Sequence, residues 1–415
     1  MIPGADPVLP EEGYTMRRLA ARLSILALLA SAVAAAPQDS PLINSMDDAR
    51  VQPPKEKGHV ESVEGKVGKA VKFSFDAGCK TQFCMMNLRA TPEWDKAQGF
   101  SFWLKGDGSK HFGCIQFIWN DDYAARYDVA FPLDSTEWRK ITVAWHDLVP
   151  VLPAPSCKFL DPKTGNAPSK LGPLWFGKWW YWRDDAAHSY TIDEIRLEPT
   201  VAADTNLYLP KGNPLERVQA KVKAGKPITI VTMGDSLTDY NHWANKPINW
   251  PTLLKEKLKA KGVEAKIINP AIGGTQLRQG LVQIPLWVAE APEADLVTVC
   301  YGGNDWESGM RGEMFRETCR DTIDRIRHAT KGKADVLFMT TVPGLEMWTT
   351  RAELGEATRA AASERKCGLA DTEKAFLAAS ADKREALFCR DKVHLGPPGH
   401  EAVAAAVLAA IEAGR

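Results

Sequence analysis

The hydrophobic pattern of this chain changes period once, near residue 200, and that change limits what it can fold into. From about 57 to 199, short runs of β-branched and aromatic residues recur at Ala70–Phe75, Gly99–Leu104, Cys114–Trp119 and Lys140–Trp145, separated by Gly, Asp and Pro. No long segment with a 3.6-residue period interrupts them, so the runs predict an antiparallel β-sandwich. Beyond residue 226 apolar strands alternate with amphipathic helices. Strands are expected at 228–233, 265–268, 295–301 and 335–340, and helices at 252–261, 311–329, 351–365 and 398–412. Such alternation predicts a parallel sheet covered by helices on both faces, a three-layer α/β/α domain over 226–415. Residues 200–225 read as a linker, Pro199–Asp204, followed by a connecting helix over 214–223. A chain of 415 residues suits this two-domain division.

Composition narrows the function classes. The formal net charge is zero, which removes electrostatic attraction to nucleic acid or to an anionic membrane as the default reading. At the N-terminus, Met16-Arg17-Arg18 and Arg22 form a basic stretch, Leu23–Ala30 is a short apolar run, and Ser31–Ala36 is rich in small residues. That order predicts a signal peptide over 1–36, starting at Met16 and cut after Ala32-Val33-Ala34. The apolar run is well short of the roughly 20 residues of a membrane span. The chain is therefore expected to be secreted or periplasmic, with no span after processing. Residues 37–56 read as a linker. Eight Cys, four in each half, are compatible with disulfides in an exported chain, and their spacing does not fix a pairing. No Cys-x-x-Cys pair and no His cluster calls for a metal, and no cofactor is expected.

Four separated segments carry chemistry. Met233-Gly-Asp-Ser-Leu-Thr238 places Ser236 just after a strand, at an expected helix N-terminus that favours developing negative charge. Asn269-Pro-Ala-Ile-Gly-Gly274 offers a backbone N–H at a tight turn, and Gly302-Gly-Asn-Asp305 offers a side-chain amide. Asp391-Lys-Val-His394 puts a carboxylate one turn of chain from an imidazole, where it can fix the ring tautomer. Nucleophile, base and orienting carboxylate are the parts of a Ser-His-Asp machine. Asp235 and His400 read as structural. Three of the segments follow strands directly, so they gather at the carboxyl edge of the sheet, where open α/β folds place their sites.

Residues 226–415 resemble the SGNH hydrolases of the GDSL esterase/lipase superfamily, named for a Ser, a Gly, an Asn and a His in four blocks. The resemblance matches Ser236, Asn304, Asp391 and His394, and places the glycine at Gly274, with Gly273 as the alternative. It implies a Ser236–His394–Asp391 triad and an oxyanion hole made by the Ser236 N–H, the Gly274 N–H and the Asn304 amide.

Nine of the fourteen Trp lie between 94 and 182. Exposed indole faces stack on sugar rings, so a Trp-rich sandwich suggests glycan binding, whereas period-2 alternation would bury about half of the rings. Trp179, Trp180 and Trp182 are candidate substrate contacts, as are Trp306 and Trp348, which follow the ends of two strands. Gly99–Gly108, Trp138–Asp147 and Tyr190–Leu197 resemble galactose-binding-like jelly rolls found as carbohydrate-binding modules. Together the resemblances imply an exported serine esterase that removes acetyl groups from a polysaccharide such as xylan. A lipid esterase or lysophospholipase, or a glycan-binding protein with an inactive hydrolase domain, are the alternatives. A fragment from about 205 onward is expected to hydrolyse small esters unaided.

Overall fold

The computed structural model describes residues 40–54, 56–152, 158–202 and 204–413. The expected signal peptide over 1–36 and Cys157 lie outside the described residues. Two six-stranded antiparallel sheets form the first half, as the alternating runs predict. In spatial order the first sheet is Gly58–Glu64, Lys69–Phe75, His188–Glu198, Gly99–Gly106 and Arg139–Ala144, with Leu42–Asn44 also pairing on His188–Glu198. The second is Val149–Pro150, Asp122–Pro132, Phe112–Trp119, Leu171–Lys178, Gln82–Met86 and Val51–Gln52. The expected linker over 37–56 is corrected here. Leu42–Asn44 and Val51–Gln52 are sheet edges, and Met46 between them is fully buried in the sandwich core. Strands of two or three residues are too short to show an alternation.

Phe73, Phe100, Phe102, Ile115, Phe117, Phe176 and Tyr190 fill the space between the two sheets. In Phe112–Trp119 the odd positions Ile115, Phe117 and Trp119 face that core, and Phe112, Cys114 and Ile118 face the other way. Those three do not meet water. They join Trp175, Trp179, Tyr181 and Trp182 in a second core shared with Leu277, Leu281, Val282 and Trp287 of the α/β half. Each large apolar side chain buried there contributes about 1.5–3 kcal/mol relative to exposure. The sandwich is thus fused to its neighbour through the outer face of its second sheet.

Beyond residue 226 five parallel strands run in the order Ala265–Ile268, Ile228–Gly234, Leu296–Cys300, Asp335–Met339 and Gly368–Ala370. Val231, Met233, Val297, Val299, Val336 and Phe338 face one side, against helices Leu277–Val282, Gly312–Ala329 and Ala352–Glu364. Ile230, Leu296, Leu337 and Met339 face the other, against Glu216–Lys223, Trp250–Ala260 and Pro397–Glu412. The first strand in sequence is second in space, so the chain reverses direction across the sheet between Ile228–Gly234 and Leu296–Cys300. That switch point opens a crevice at the carboxyl edge.

Candidate active site

Ser236 leaves the end of the strand Ile228–Gly234 at the switch point. It lies in a single turn, closed by N–H bonds from Thr238 and Asp239 to the Asp235 carbonyl. The next α-helix starts only at Trp250. The expected helix N-terminus at Ser236 is corrected accordingly, because Asn249 caps that helix and the intervening residues turn back on themselves. Local donors stand in for a helix. Buried Asn245 donates from its amide to the carbonyls of Ser236 (2.6 Å) and Asp239 (2.8 Å) and holds the turn shut.

His394 reaches this turn from a loop 158 residues away. Phe388 and Leu395 pair across the base of that loop, and the Cys389 N–H bonds back to the His394 carbonyl. Asp391 accepts the backbone N–H groups of Val393 (3.1 Å) and His394 (3.0 Å) through one oxygen. Its other oxygen lies 2.6 Å from His394 Nδ1. A proton on Nδ1 therefore points at the carboxylate, which leaves Nε2 as acceptor 2.9 Å from Ser236 Oγ. Partial burial works against ionised Asp391, yet hydrogen bonds from His394 and the two backbone groups hold its carboxyl below the ordinary range. The arrangement can move a proton from Ser236 to His394 and steady the imidazolium that results.

Gly274 carries φ +83°, a left-handed conformation suited to glycine, and its N–H has no partner among the described residues. Gly273, the alternative, donates its own N–H to Asp239 Oδ2 at 2.9 Å. That bond favours Gly274 as the available donor. Asn269 ties the glycine turn to the Ser236 turn by donating to Thr232 Oγ1 and the Thr238 carbonyl. Asn304 donates one amide hydrogen to the Thr275 carbonyl at 2.9 Å and keeps a second. Asp305 fixes the preceding turn, accepting the N–H of Gly302 at 3.1 Å and of Leu277 at 3.0 Å. Gly302 has φ +125°, and a Cβ there would strike Thr341. Burial raises the Asp305 carboxyl to about 7 and the Asp235 carboxyl to about 6.

The Trp expectations divide. Trp180 is 44% exposed and its ring lies beside Gly274, where a Cβ would touch it at 3.7 Å. Trp179 and Trp182 are buried in the core shared by the two halves, so they offer no open face. Trp306 packs against that same core with the Arg311 guanidinium 4.5 Å from its ring centre. Trp348 packs against Phe388 and the core on the other side of the sheet, under Arg384. Sequence reasoning missed Trp243, which is 50% exposed and edge-on to His394, and His242, stacked on His394 at 4.2 Å. Burial, then repulsion from His394, lowers the affinity of His242 for a proton. It also missed Asp239, although the sequence places that residue only three positions after Ser236.

Seven of the eight cysteines lie in described residues, and all seven are free thiols. Among the described residues, His111, Asp184 and His188 offer three metal-ligand atoms within 4.8 Å of one another. Asp184 bonds His111 at 2.7 Å, and the positive field of buried Lys178 acts on both Asp184 and His188. A resident ammonium opposes a second cation, and we assign no metal to them.

Residues 232–402 match the GDSL-like lipase/acylhydrolase family. The chain carries a GDSL-like lipase/acylhydrolase domain. The GDSL-like domain is similar in sequence to esterase TesA of Pseudomonas aeruginosa, at 27% identity over 99 residues, 24% of this chain and 48% of that protein. The chain thus spans about half the length of the curated relative it matches. Among solved structures it is similar to a lipase/acylhydrolase from Enterococcus faecalis (20% identity, TM-score 0.39, 45% of this chain and 96% of that one). It is also similar to Axe2, an acetylxylan esterase from Geobacillus stearothermophilus (21% identity, TM-score 0.35, 44% and 94%).

Proposed function

We propose that the protein is a serine esterase that removes short acyl groups, acetyl in particular, from a polysaccharide. The observation that carries the chemistry is the unbroken chain from Asp391 through His394 to Ser236 Oγ, at 2.6 and 2.9 Å. Ser236 Oγ attacks the ester carbonyl while His394 Nε2 takes its proton. The carbonyl oxygen becomes an oxyanion held by the N–H groups of Ser236 and Gly274 and the free amide hydrogen of Asn304. His394 then gives the proton to the departing sugar oxygen, the ester C–O bond breaks, and an acyl-Ser236 remains. Water, deprotonated by the same imidazole, releases the carboxylic acid and restores the serine.

The sugar reading rests on the two exposed indoles, Trp180 beside Gly274 and Trp243 beside His394. Exposed flat aromatic faces beside Gly274 and His394 suit the C–H faces of sugar rings better than a long acyl chain. Ser236→Ala removes one oxygen and almost no volume. It should lower hydrolysis of a small acetyl ester at least ~10³-fold with melting unchanged. A variant keeping a tenth of the parent rate would exclude Ser236 as nucleophile. Acetate release from acetylated xylan, set against esters of increasing chain length, tests the substrate class. Preference for long acyl chains would turn the reading to a lipid esterase.

A further inference from the structure

We propose that Arg183, on the sandwich, is a positioning residue for the oxyanion-binding turn of the GDSL-like domain, so that the active site is built by both halves of the chain. The proposal rests on the esterase reading above. Its basis is a relay of hydrogen bonds that crosses from one half to the other. Arg183 forks onto both carboxylate oxygens of Asp239, Nη1 donating to Oδ1 at 2.7 Å and Nη2 to Oδ2. Asp239 Oδ2 also accepts the Gly273 N–H at 2.9 Å, and Oδ1 accepts the Asn241 N–H at 2.8 Å. One carboxylate therefore joins the sandwich, the glycine turn and the Ser236 turn. Gly273 is the residue before the N–H of Gly274, and a Cβ placed on it would lie 3.6 Å from the Ser236 Cβ. Fixing its N–H fixes the Ile272–Gly273 peptide plane, the unit next to the Gly273–Gly274 peptide that carries the Gly274 donor, and so limits where that donor can point.

Charge makes the relay depend on Arg183. Asp239 is only 2% exposed. Burial disfavours its ionised form, and the bonds from Arg183, Asn241 and Gly273 overcome this and hold its carboxyl below the ordinary range. A buried carboxylate stripped of its cation takes up a proton or draws in water, and either change alters what it can accept from Gly273. Arg183 is itself held in place. It ends the turn Trp180–Trp182 at φ +49°, with its N–H on the Trp180 carbonyl. The turn is pinned by a bond from Trp179 Nε1 to Cys114 Sγ at 3.1 Å, by a bond from Gln283 Nε2 to the Tyr181 carbonyl at 2.6 Å, and by the bond of the Tyr181 hydroxyl to Asp128. A bidentate Arg on a rigid turn is a bracket, not a floating surface pair.

The test uses the full chain and a small soluble acetyl ester, so that polymer binding plays no part. Arg183→Ala should lower kcat about 10- to 100-fold and leave KM within about twofold, because a misaimed oxyanion donor matters once charge develops. Arg183 is 38% exposed in its side chain, so solvent can reach the vacated place. Millimolar guanidinium should restore part of the lost kcat, and an equal concentration of sodium chloride should not. Arg183→Lys, which keeps the charge and loses the fork, should lie between parent and alanine, and it carries the test if the alanine variant is insoluble. A kcat within twofold of the parent in Arg183→Ala, or in Arg183→Lys where the alanine variant is insoluble, overturns the proposal. So does a loss confined to KM, or a loss that guanidinium leaves untouched. Loss of activity in Ser236→Ala beside full kcat in Arg183→Ala would remove this inference alone and leave the esterase reading standing.

Discussion

The two sheets of the sandwich have six strands each, and their outer faces differ. On the first sheet His59, Glu61, Lys140 and Thr142 are exposed, the polar-out pattern of a sheet with one wet side. On the second, Phe112–Trp119 and Leu171–Lys178 have no exposed residue. Both faces of those strands are covered, one by the sister sheet and the other by the Trp179–Trp182 turn and a core shared with helices Leu277–Val282 and Ile284–Glu290. Aromatic content alone does not separate the two roles. Trp175, Trp179 and Trp182 belong to an internal seam, and Trp180, in the same stretch of chain, is the one turned outward.

The largest expected effect comes from cutting along that seam. A fragment from about 205 to 415 would expose Leu277, Leu281, Val282 and Trp287, and would lose both Arg183 and Trp180. It should aggregate, or stay soluble with hydrolysis of a small acetyl ester reduced at least ~10-fold. This prediction departs from the expectation of an independent catalytic half, on the ground that the sandwich shares a core with the α/β half. A soluble fragment with the parent kcat would break the comparison between the sheets. Less drastic is a pair of substitutions, one on each outer face. Trp182→Ala, inside the seam, should cost about 3–5 kcal/mol in chemical denaturation. Trp103→Ala, half-buried on the open face of the first sheet with Lys66 over its ring, should cost about 1 kcal/mol or less beyond its area. Equal costs would mean that the open face is covered as well.

The seam also holds a buried carboxyl that should mark it in a pH titration. Asp128 is fully buried, accepts the Tyr181 hydroxyl and the Gln116 amide, and is raised by burial to about 7. In the unfolded chain it ionises near ~3.9. The folded state binds the extra proton between those values, so stability from this group is full below the lower one and is lost as pH rises to about 7. Asp128→Asn cannot ionise. The fall in melting temperature between pH 5 and pH 8 should be smaller in the variant than in the parent. Identical falls would show that Asp128 titrates normally, and that the seam is wetter than its packing implies.

These contrasts explain which parts of the molecule were legible in sequence. The period change near 200 and the strand–helix alternation after it read correctly because the longer elements there show their period, whereas the three-residue strand Gly368–Ala370 is too short to do so. Ser236, Asp391 and His394, which the structure brings within hydrogen-bond reach of one another, could be singled out because each sits in a short motif. What surrounds them could not. Arg183 and Asp239 are 56 residues apart and neither stands in a pattern that names the other. Trp179, Trp180 and Trp182 look alike in sequence, and only a tight turn off the end of a strand decides which ring meets water. Phe112–Trp119 shows apolar residues at both parities, the signature of a strand covered twice, and that signal was available.

The smallest effect concerns the one ring of that turn left in the open. Trp180→Ala removes a side chain that is 44% exposed, so its cost in stability should stay near ~1 kcal/mol. If the indole receives a sugar face beside Gly274, the variant should lose about 3- to 10-fold in kcat/KM on acetylated xylan, the worth of one aromatic stacking contact of about 0.5–1.5 kcal/mol. The loss on a small acetyl ester should be clearly less, because such a substrate has no ring to stack. Trp182→Ala supplies the contrast. Wherever that variant is folded, it should leave the ratio of the two activities unchanged. Measured on both substrates at a temperature where all variants are folded, the ratio of polymer to small-ester activity should therefore fall for Trp180 alone. A ratio unchanged in Trp180→Ala would assign the exposed indole to covering the turn, and would leave Trp243, on the His394 side, as the remaining aromatic surface for a sugar.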